Sequence, residues 1–493
     1  MNLSKSKYCQ GIQCKKILWL NKYKPEEKSE LNNESVLENG TKVGEIAKCL
    51  FGDYIDIKFN EDLSIMIEDT KKAINNNKNA IITEASFDYN NNFCSVDILI
   101  KKDNNYEIYE VKSSTEIKDI YINDSAYQTY VLKNLGLNVI KTSIVYINSS
   151  YIRYGELNLS ELFKIEDVTE IVLSMQDEIH KNIKSINEYI NQKEEPIKDI
   201  DMYCHNPYPC PYFKYCTKHL PEKNIFNIKS MRIQTKINLY KDNKYTYEDL
   251  LNEKINSKYK QQIEFELYNK EPIINKEAIK SFLDNLYYPL YFLDFETYQQ
   301  SIPQYDGIKP YMQIPFQYSL HYIERENGEL LHKEFLAEPN IDPRRILAET
   351  LIKDIPKNTC VLAYNMMFEK MVIKNLANLY EDLSEHLMNI HDNMQDLMIV
   401  FQKRDYYTKE MYGSYSIKYV LPALFPQDPE LDYHNLDLIH NGSEASNNYA
   451  TLSELPKEKQ EQIKKSLLKY CELDTYAMVK IWQKLNDVIK EKS

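Results

Sequence analysis

Two carboxylates one residue apart end a short apolar stretch, and this stretch limits the possible folds of the chain more than any other. It reads Tyr291-Phe-Leu-Asp-Phe-Glu-Thr297, and its unbroken apolar and aromatic run predicts a buried strand. Residues i and i+2 of a strand share a face, so Asp294 and Glu296 point the same way. A divalent metal ion would relieve the repulsion and lost hydration of two such acids. The alternative is a strand end whose acids face water.

Length and composition set the outer limits. A chain of 493 residues with 43% hydrophobic and 27% charged residues predicts a globular protein of two or three domains. The net charge of −13 argues against a surface coated in basic residues, although a local basic groove is compatible with it. No apolar run approaches the length of a membrane span and no signal pattern opens the chain, so we expect a cytoplasmic protein without a membrane partner. Its nine cysteines are then free thiols or metal ligands.

The order of the patterns predicts a multidomain α/β protein. We expect one α/β domain over residues 1–220, a helical connector over residues 221–285 and a second α/β domain over residues 286–493. Strand patterns fall at residues 81–87, 94–101, 106–112, 139–147, 290–295, 316–323 and 360–364, and helix patterns at residues 13–20, 40–51, 125–135, 167–191, 368–379 and 457–486.

The first domain places two acids and a lysine on neighbouring strands. Asp97 lies on one strand, and Glu110 and Lys112 share a face of the next, joined to it by a tight turn. Two carboxylates can hold Mg²⁺ while the ammonium group orients or deprotonates the attacking water. The alternative is an ordinary hairpin salt bridge.

This arrangement, followed by a helix that contains Gln128, resembles the PD-(D/E)XK nuclease superfamily, in particular its RecB-like and Cas4-like branch. The resemblance spans roughly residues 8 to 220. It implies a restriction-endonuclease-like fold in which Asp97 and Glu110 bind metal, Lys112 activates water and Gln128 supports the lysine or the substrate. An upstream helix of that branch often offers a histidine to the metal, and Glu45 stands at the matching place here.

A cysteine cluster closes this domain. Cys204, Cys210 and Cys216 lie among aromatic residues and prolines, and three soft ligands need a fourth. Zinc and an iron-sulfur cluster are the candidates. With one cysteine near the start of the domain, the set resembles the four-cysteine iron-sulfur staple of the Cas4 and AddB type, which implies a 4Fe-4S cluster.

The identity of the distant ligand is open from sequence. Cys14, before a basic and aromatic helix, matches that staple better than Cys9, which stays the second choice. The spacing departs from that of many relatives, so a Cys₃His zinc site with His205 or His219 is the rival.

The second domain adds partners for the opening pair of acids. Asn365 and Glu369 follow a strand, and Tyr470 and Asp474 stand four residues apart on one helix face. The set resembles the DnaQ-like DEDD exonucleases of ribonuclease H-like fold, Tyr subtype. The resemblance implies that Asp294, Glu296, Glu369 and Asp474 hold two Mg²⁺ or Mn²⁺ ions while Tyr470 orients the water. The second motif usually carries aspartate, so Asp396 is the rival of Glu369.

The C-terminal half also resembles the domain family DUF2779, through its first motif, the block that follows it and residues 413–418. We therefore expect a two-headed nuclease that acts on DNA with single-stranded ends, with a 3′ to 5′ exonuclease as its second head. A nucleic-acid-binding scaffold with one inactive head and a ribonuclease are the alternatives. Protein partners are not predicted.

Overall fold

A computed structural model describes residues 3–30 and 34–491, with side chains omitted for residues 34–38. Within these residues the chain forms two compact units. The first runs to Pro221 and includes Gln300–Tyr311, and the second comprises Glu222–Gln299 and the residues from Met312 onward. Both contain sheets covered by helices, so the predicted multidomain α/β class is confirmed.

The first unit is built on one mixed sheet. Its strands are β1 (Leu3–Ser4), β2 (Ile55–Asp56), β3 (Asn79–Tyr89), β4 (Asn92–Lys102), β5 (Asn105–Lys112), β6 (Asn138–Ile147) and β7 (Phe163–Asp167). Their order is β2-β3-β4-β5-β6-β7, with β1 pairing with β4 in parallel. The pairs β3–β4, β4–β5 and β6–β7 are antiparallel, whereas β5–β6 is parallel and is joined by a helical crossover.

Helices cover this sheet. They are α1 (Lys5–Gln13), α2 (Lys15–Tyr23), α3 (Glu34–Ala47), α4 (Leu63–Asn76), α5 (Asp119–Asn134), α6 (Leu159–Leu162), α7 (Thr169–Ser174), α8 (Gln176–Ile190) and α9 (Phe213–Cys216). The crossover helix α5 is buried over most of its length and packs against the sheet and α1. This burial carries its polar side chains to the face of β4 and β5.

Two helix boundaries differ from the sequence pattern. The helix expected over residues 13–20 is interrupted at Cys14, whose φ of −162° is extended, so α1 ends at Gln13 and α2 begins at Lys15. The helix expected over residues 167–191 is preceded by β7 and divided into α7 and α8 near Met175. Both breaks lie where the apolar period continues, so packing rather than pattern decides them.

The second unit contains a five-stranded sheet and a small two-stranded one. Its strands are β8 (Ile273–Ile274), β9 (Leu290–Tyr298), β10 (Ile314–Ile323), β11 (Leu331–Leu336), β12 (Cys360–Ala363), β13 (Met394–Asp396) and β14 (Tyr406–Tyr407). The larger sheet has the order β11-β10-β9-β12-β13. Its β11, β10 and β9 are antiparallel neighbours, and β12 and β13 add in parallel. Every residue of β10 is buried, because helices cover both faces of the strand.

The first helices of this unit precede its larger sheet in the sequence. They are α10 (Ile233–Lys241), α11 (Tyr247–Leu251), α12 (Ser257–Tyr268), α13 (Lys276–Leu283), α14 (Arg344–Asp354), α15 (Met367–Leu379), α16 (Glu381–Asp392), α17 (Ile399–Gln402), α18 (Ile417–Leu424), α19 (Gly442–Ala450) and α20 (Lys457–Lys490). One face of the sheet packs on α14, α15 and α16, and α20 crosses β9 and β10. Gln317 Nε2 donates a 2.8 Å hydrogen bond to the carbonyl oxygen of Leu467, which fixes α20 on the sheet.

The predicted connector is helical, and it belongs to the second compact unit. Residues 222–285 include α10 to α13 and a small apolar core around Ile225, Tyr247 and Ile263. Conversely, residues 300–311 leave the end of β9 and pack in the first unit, where Arg153 Nη1 donates to the carbonyl oxygen of Pro303 over 2.9 Å. None of the helices in the described ranges has the length and apolarity to cross a membrane.

Candidate metal centres

Three carboxylates of the second unit meet at one point. Asp294 and Glu296 project from β9 and Asp474 from α20, and one oxygen of each lies within 4.8 Å of the others. Asp294 is the one residue of β9 that keeps appreciable exposure. The two-residue period of β9 and the passage of α20 across the strand therefore bring together acids that lie 180 residues apart.

A fourth carboxylate faces this cluster. Glu369 lies in the first turn of α15, is 2% exposed, and its Oε2 has no hydrogen-bond partner among the described residues. Its charge helps to raise the pKa of both Asp294 and Glu296. Asp396, the rival, instead accepts 3.0 Å hydrogen bonds through Oδ1 from the backbone amides of Asn365 and Met398. Of the two, Glu369 is the one whose unpartnered oxygen is buried.

The acids of the cluster resist ionisation. Burial and the charge of Asp474 raise the pKa of Asp294 well above its ordinary value, and the same causes act on Glu296. Burial also raises the pKa of Asp474 to about 6 and that of Glu369 to about 8. Crowded oxygen ligands with an orphaned buried oxygen are the donor set that Mg²⁺ and Mn²⁺ prefer, so the residues fit divalent cations.

Two tyrosines flank Asp474. The hydroxyl of Tyr433 donates a 2.5 Å hydrogen bond to Asp474 Oδ1. The ring of Tyr470 lies 5.9 Å from that of Tyr433, and burial together with Asp474 raises the pKa of both phenols, which stay protonated. Tyr470 was predicted from its spacing to Asp474. Tyr433 was not, because nothing distinguishes one loop tyrosine among the 41 of this chain.

A cleft of about 850 Å³ opens beside the acids. Its lining includes Lys418, Phe425, Tyr433, His434 and Asn441. The ammonium group of Lys418 partly offsets the rise in the pKa of Glu296 and Asp474, so it lies close enough to act on an anionic ligand. A cleft of this volume accommodates a nucleotide-sized ligand.

The predicted residues of the first unit also converge. Lys112 Nζ lies 2.7 Å from Glu110 Oε1, and Gln128 Nε2 donates a 2.7 Å hydrogen bond to Glu110 Oε2. Asp97 Oδ2 accepts a 2.7 Å hydrogen bond from the backbone amide of Val111, which fixes that carboxylate beside β5.

Two further charged residues complete this site. Lys112 Nζ also lies 2.6 Å from Asp124 Oδ2, and Asp124 precedes Gln128 by one turn of α5, a spacing that sequence reasoning could have used. Lys5 Nζ, from the start of α1, lies 3.0 Å from Glu110 Oε1 and 3.3 Å from Asp97 Oδ1. No local spacing links Lys5 to residues about a hundred positions away.

The two acids of this site differ in protonation. Burial and the neighbouring Glu110 raise the pKa of Asp97 to about 7. Burial acts in the same direction on Glu110, but Lys112 and Lys5 outweigh it and hold the pKa of Glu110 below its ordinary range. The Lys5 ammonium group therefore lies at the place where Asp97 and Glu110 would bind a metal ion together.

Glu45 does not join these acids. Its side chain is 63% exposed, and its Oε1 lies 2.7 Å from Lys48 Nζ. Glu84 lies closer to the site, because its charge adds to that of Glu110 in raising the pKa of Asp97. Glu84 interrupts β3 with a φ of +56°, and its carbonyl oxygen accepts hydrogen bonds from the hydroxyls of Ser86 and Ser95. A left-handed backbone conformation is strained for a residue other than glycine, so the surrounding hydrogen bonds must stabilise Glu84 in it.

The four predicted cysteines surround one small cavity. Cys14, from the break between α1 and α2, faces Cys204, Cys210 and Cys216 there. Burial and the neighbouring thiols raise the pKa of Cys204 to about 11 and that of Cys210 to about 12. The backbone amide of Cys210 donates to the carbonyl oxygen of Cys204 over 2.9 Å, which closes the loop that presents them.

None of the alternative ligands is among the residues that line this cavity. Cys9 Sγ lies 3.9 Å from the carbonyl oxygen of Ile120, and the charges of Asp124 and Lys112 act on its thiol. The ring of His205 packs on Phe213, and His219 Nδ1 lies 3.1 Å from the carbonyl oxygen of Cys216 on an exposed edge.

Comparisons with known proteins bear on the family. Residues 291–416 match the family model described as Domain of unknown function (DUF2779), which supports that label. Uncharacterized protein UU173 of Ureaplasma parvum is 24% identical over 80% of this chain, and Uncharacterized protein MG366 of Mycoplasma genitalium is 29% identical over 41% of it. The aligned regions span 60% and 32% of those two proteins. No solved structure matches the chain.

Proposed function

We propose that this chain is a metal-dependent nuclease whose second unit hydrolyses phosphodiester bonds from a 3′ end, as a DnaQ-like exonuclease of ribonuclease H-like fold. The observation that carries the proposal is the convergence of Asp294, Glu296 and Asp474 within 4.8 Å. The buried, unpartnered Oε2 of Glu369 supports it, because an isolated ionised oxygen is costly unless a cation compensates it.

Each residue then has a stated task. Asp294, Glu296, Glu369 and Asp474 would hold two Mg²⁺ or Mn²⁺ ions, which when bound supply an activated water and stabilise the leaving oxygen. The phenol of Tyr470 stays protonated and donates toward the attacking water. Lys418, in the lining of the adjoining cleft, attracts the phosphate backbone of the strand that enters.

The test is degradation of labelled single strands. Purified protein with Mn²⁺ is given DNA and RNA labelled at the 5′ or the 3′ end, and the wild type is compared with Asp294→Asn/Asp474→Asn. We expect the double variant to lose 3′ to 5′ degradation, and Asp392→Asn, at an exposed aspartate of the same unit, to serve as the control that keeps it. Equal degradation by the wild type and the double variant would refute the proposal, and a preference for RNA would make the enzyme a ribonuclease.

The first unit is proposed to be a PD-(D/E)XK nuclease head that uses Asp97, Glu110 and Lys112. One observation favours a second candidate, a head that grips nucleic acid without cleaving it. The ammonium group of Lys5 lies within 3.3 Å of both carboxylates and supplies the positive charge that a metal ion would otherwise bring. Loss of a double-strand cleavage activity in Lys112→Ala would support the catalytic role, and unchanged binding without cleavage would support the gripping role.

The four cysteines are proposed to hold a 4Fe-4S cluster, with zinc as the alternative. Their convergence from the two ends of the first unit supports a structural task for the bound group. Gln13, beside Cys14, already donates hydrogen bonds through Nε2 to the carbonyl oxygens of Tyr203 at 2.8 Å and Tyr208 at 2.7 Å. The cluster would complete this connection.

A further inference from the structure

A second set of ligand groups lies in the second unit and takes no part in the proposed hydrolysis. One ring nitrogen of His321, one of His332 and one carboxylate oxygen of Glu472 lie within 4.8 Å of one another. The two histidines are direct cross-strand partners on β10 and β11, with ring centroids 4.5 Å apart, and Glu472 reaches them from α20. Three elements of the unit thus contribute to one point.

Hydroxyl groups orient both imidazoles. Thr475 Oγ1 lies 2.8 Å from both His321 Nδ1 and Ser319 Oγ, and 3.1 Å from the carbonyl oxygen of Glu472. Ser319 Oγ in turn lies 2.9 Å from His332 Nε2. When Thr475 donates to the carbonyl oxygen and Ser319 donates to Thr475, both imidazoles donate through these two nitrogens, and His321 Nε2 and His332 Nδ1 keep the lone pairs that a metal ion needs. Metal-binding histidines are typically held by such a hydrogen bond at the other ring nitrogen.

A second carboxylate is close to the group. Glu334 shares a face of β11 with His332, because the two are separated by one residue. Partial burial raises the pKa of Glu334. The charge of His332 opposes this rise and the charge of Glu472 adds to it, so Glu334 lies near both residues. His321 is buried while Glu472 is exposed, so the group opens to solvent on one side.

We propose that His321, His332 and Glu472, with Glu334 beside them, form a site for a divalent transition metal ion, Zn²⁺ in particular. Two imidazoles and one or two carboxylates are zinc ligands, whereas Mg²⁺ prefers oxygen ligands alone. This separates the site chemically from the acid cluster around Asp294. The proposal stands whether or not the second unit is a nuclease.

The position of the site defines its task. The ion would tie the edge strand β11 and its neighbour β10 to α20 at Glu472, two residues before Asp474. Bound Zn²⁺ would therefore stabilise the unit and hold the helix that presents Tyr470 and Asp474. The exposed side of the group leaves room for a water ligand.

The test measures zinc directly. Protein is equilibrated with Zn²⁺ in the presence of excess Mg²⁺, which competes for the oxygen-only sites, and bound zinc is counted for the wild type, His332→Gln, Glu472→Gln and His391→Gln, a control outside the site. We expect the wild type and His391→Gln to bind one equivalent more than His332→Gln, and Glu472→Gln to bind Zn²⁺ at least tenfold more weakly. Zinc should also raise the melting temperature of the wild type more than that of the two site variants.

The exposed position of Glu472 keeps the test decisive, because Glu472→Gln leaves the buried histidine network intact even where His332→Gln fails to fold. Any zinc bound by the cysteine cluster is the same in every protein compared, so it does not affect the difference in zinc content between the wild type and the variants. Equal zinc content and equal affinity in the wild type and Glu472→Gln would overturn the proposal.

Discussion

Lys5 Nζ lies 3.0 Å from Glu110 Oε1, so a lysine from the first helix supplies a positive charge to the acids of the first unit. Its partner Glu110 is 1% exposed and also contacts Lys112. A buried carboxylate needs this compensation, and a metal ion would have to displace or supplement the Lys5 ammonium group to bind there.

Lys5→Met should therefore open the first site to metal. In an Asp294→Asn/Asp474→Asn background, we expect Lys5→Met to bind Mn²⁺ at least tenfold more tightly by calorimetry. Without metal, the loss of a buried partner should cost roughly 1–3 kcal/mol of unfolding free energy. Lys5→Arg keeps the charge and is the matched control. Unchanged Mn²⁺ affinity in Lys5→Met would show that this lysine does not compete with a cation.

The acid cluster of the second unit should make metal-free stability fall with rising pH. The pKa of Asp474 is raised from 3.8 to about 6 and that of Glu369 from 4.5 to about 8. Between the ordinary and the raised values the folded chain binds more protons than the unfolded chain, so the unfolding free energy decreases with pH. In EDTA we expect a loss that begins near pH 4 and continues to at least about pH 8.

Urea denaturation at several pH values measures this effect. Saturating Mn²⁺ should remove most of the slope, because bound cations stabilise the ionised carboxylates. Asp474→Asn should flatten the curve in EDTA between about pH 4 and about pH 6. A metal-free stability that rises over this range would contradict the crowding of the four acids.

The two tyrosines beside Asp474 should contribute unequally. Tyr470→Phe should lower kcat about 100-fold, the scale of a lost proton donor at a reacting group. Tyr433→Phe removes the hydrogen bond to Asp474 Oδ1 that lowers the pKa of this acid, so we expect a loss of about tenfold and an acid limb of the pH–rate profile shifted to higher pH.

The control for both is Tyr318→Phe, a buried tyrosine on β10 whose hydroxyl donates to Asp354 Oδ2 over 2.7 Å. Tyr318→Phe should leave kcat and the pH profile unchanged. A pH profile that Tyr433→Phe does not move would assign Tyr433 to packing alone.

Gly413 should tolerate no side chain. Its φ of +73° disfavours other residues, and an added Cβ would lie 2.5 Å from Cδ of the buried Gln262. We expect Gly413→Ala to lower the unfolding free energy by about 2 kcal/mol or more, measured by urea denaturation. Gly44→Ala, in helix α3 with nothing within 4 Å of the added carbon, should instead be neutral or stabilising. Similar effects from both substitutions would count against the close contact with Gln262.

Cys14 and Cys9 should differ in their effect on the metal content of the protein. Anaerobically purified wild-type protein should be brown, as iron-sulfur proteins are, and Cys14→Ser should lose this visible absorbance together with bound iron. Cys9→Ser should keep both, because Cys9 faces Asp124 and Lys112. A colourless wild type that carries zinc at these cysteines would replace the iron-sulfur assignment with a zinc site.

Local patterns in the sequence were sufficient to predict which residues of one strand or one helix share a face. The period of two puts Asp294 and Glu296 on one face of β9, and the period of about four puts Tyr470 and Asp474 on one face of α20. The strands β3 to β6, β9, β10 and β12 were predicted in the same way, since each carries a concentrated apolar run. The short strand β13, the edge strand β11 and the helix α16 were not predicted.

Only the tertiary structure decided which distant residues meet. Lys5 reaches Glu110 because α1 packs on α5, and Tyr433 reaches Asp474 because a loop folds over α20. His321, His332 and Glu472 come together through a strand pairing and a helix crossing. Sequence alone determined the spacing of side chains within a strand or helix, since backbone geometry sets it. The meeting of residues from different elements depends on long-range packing, and no local spacing encodes that.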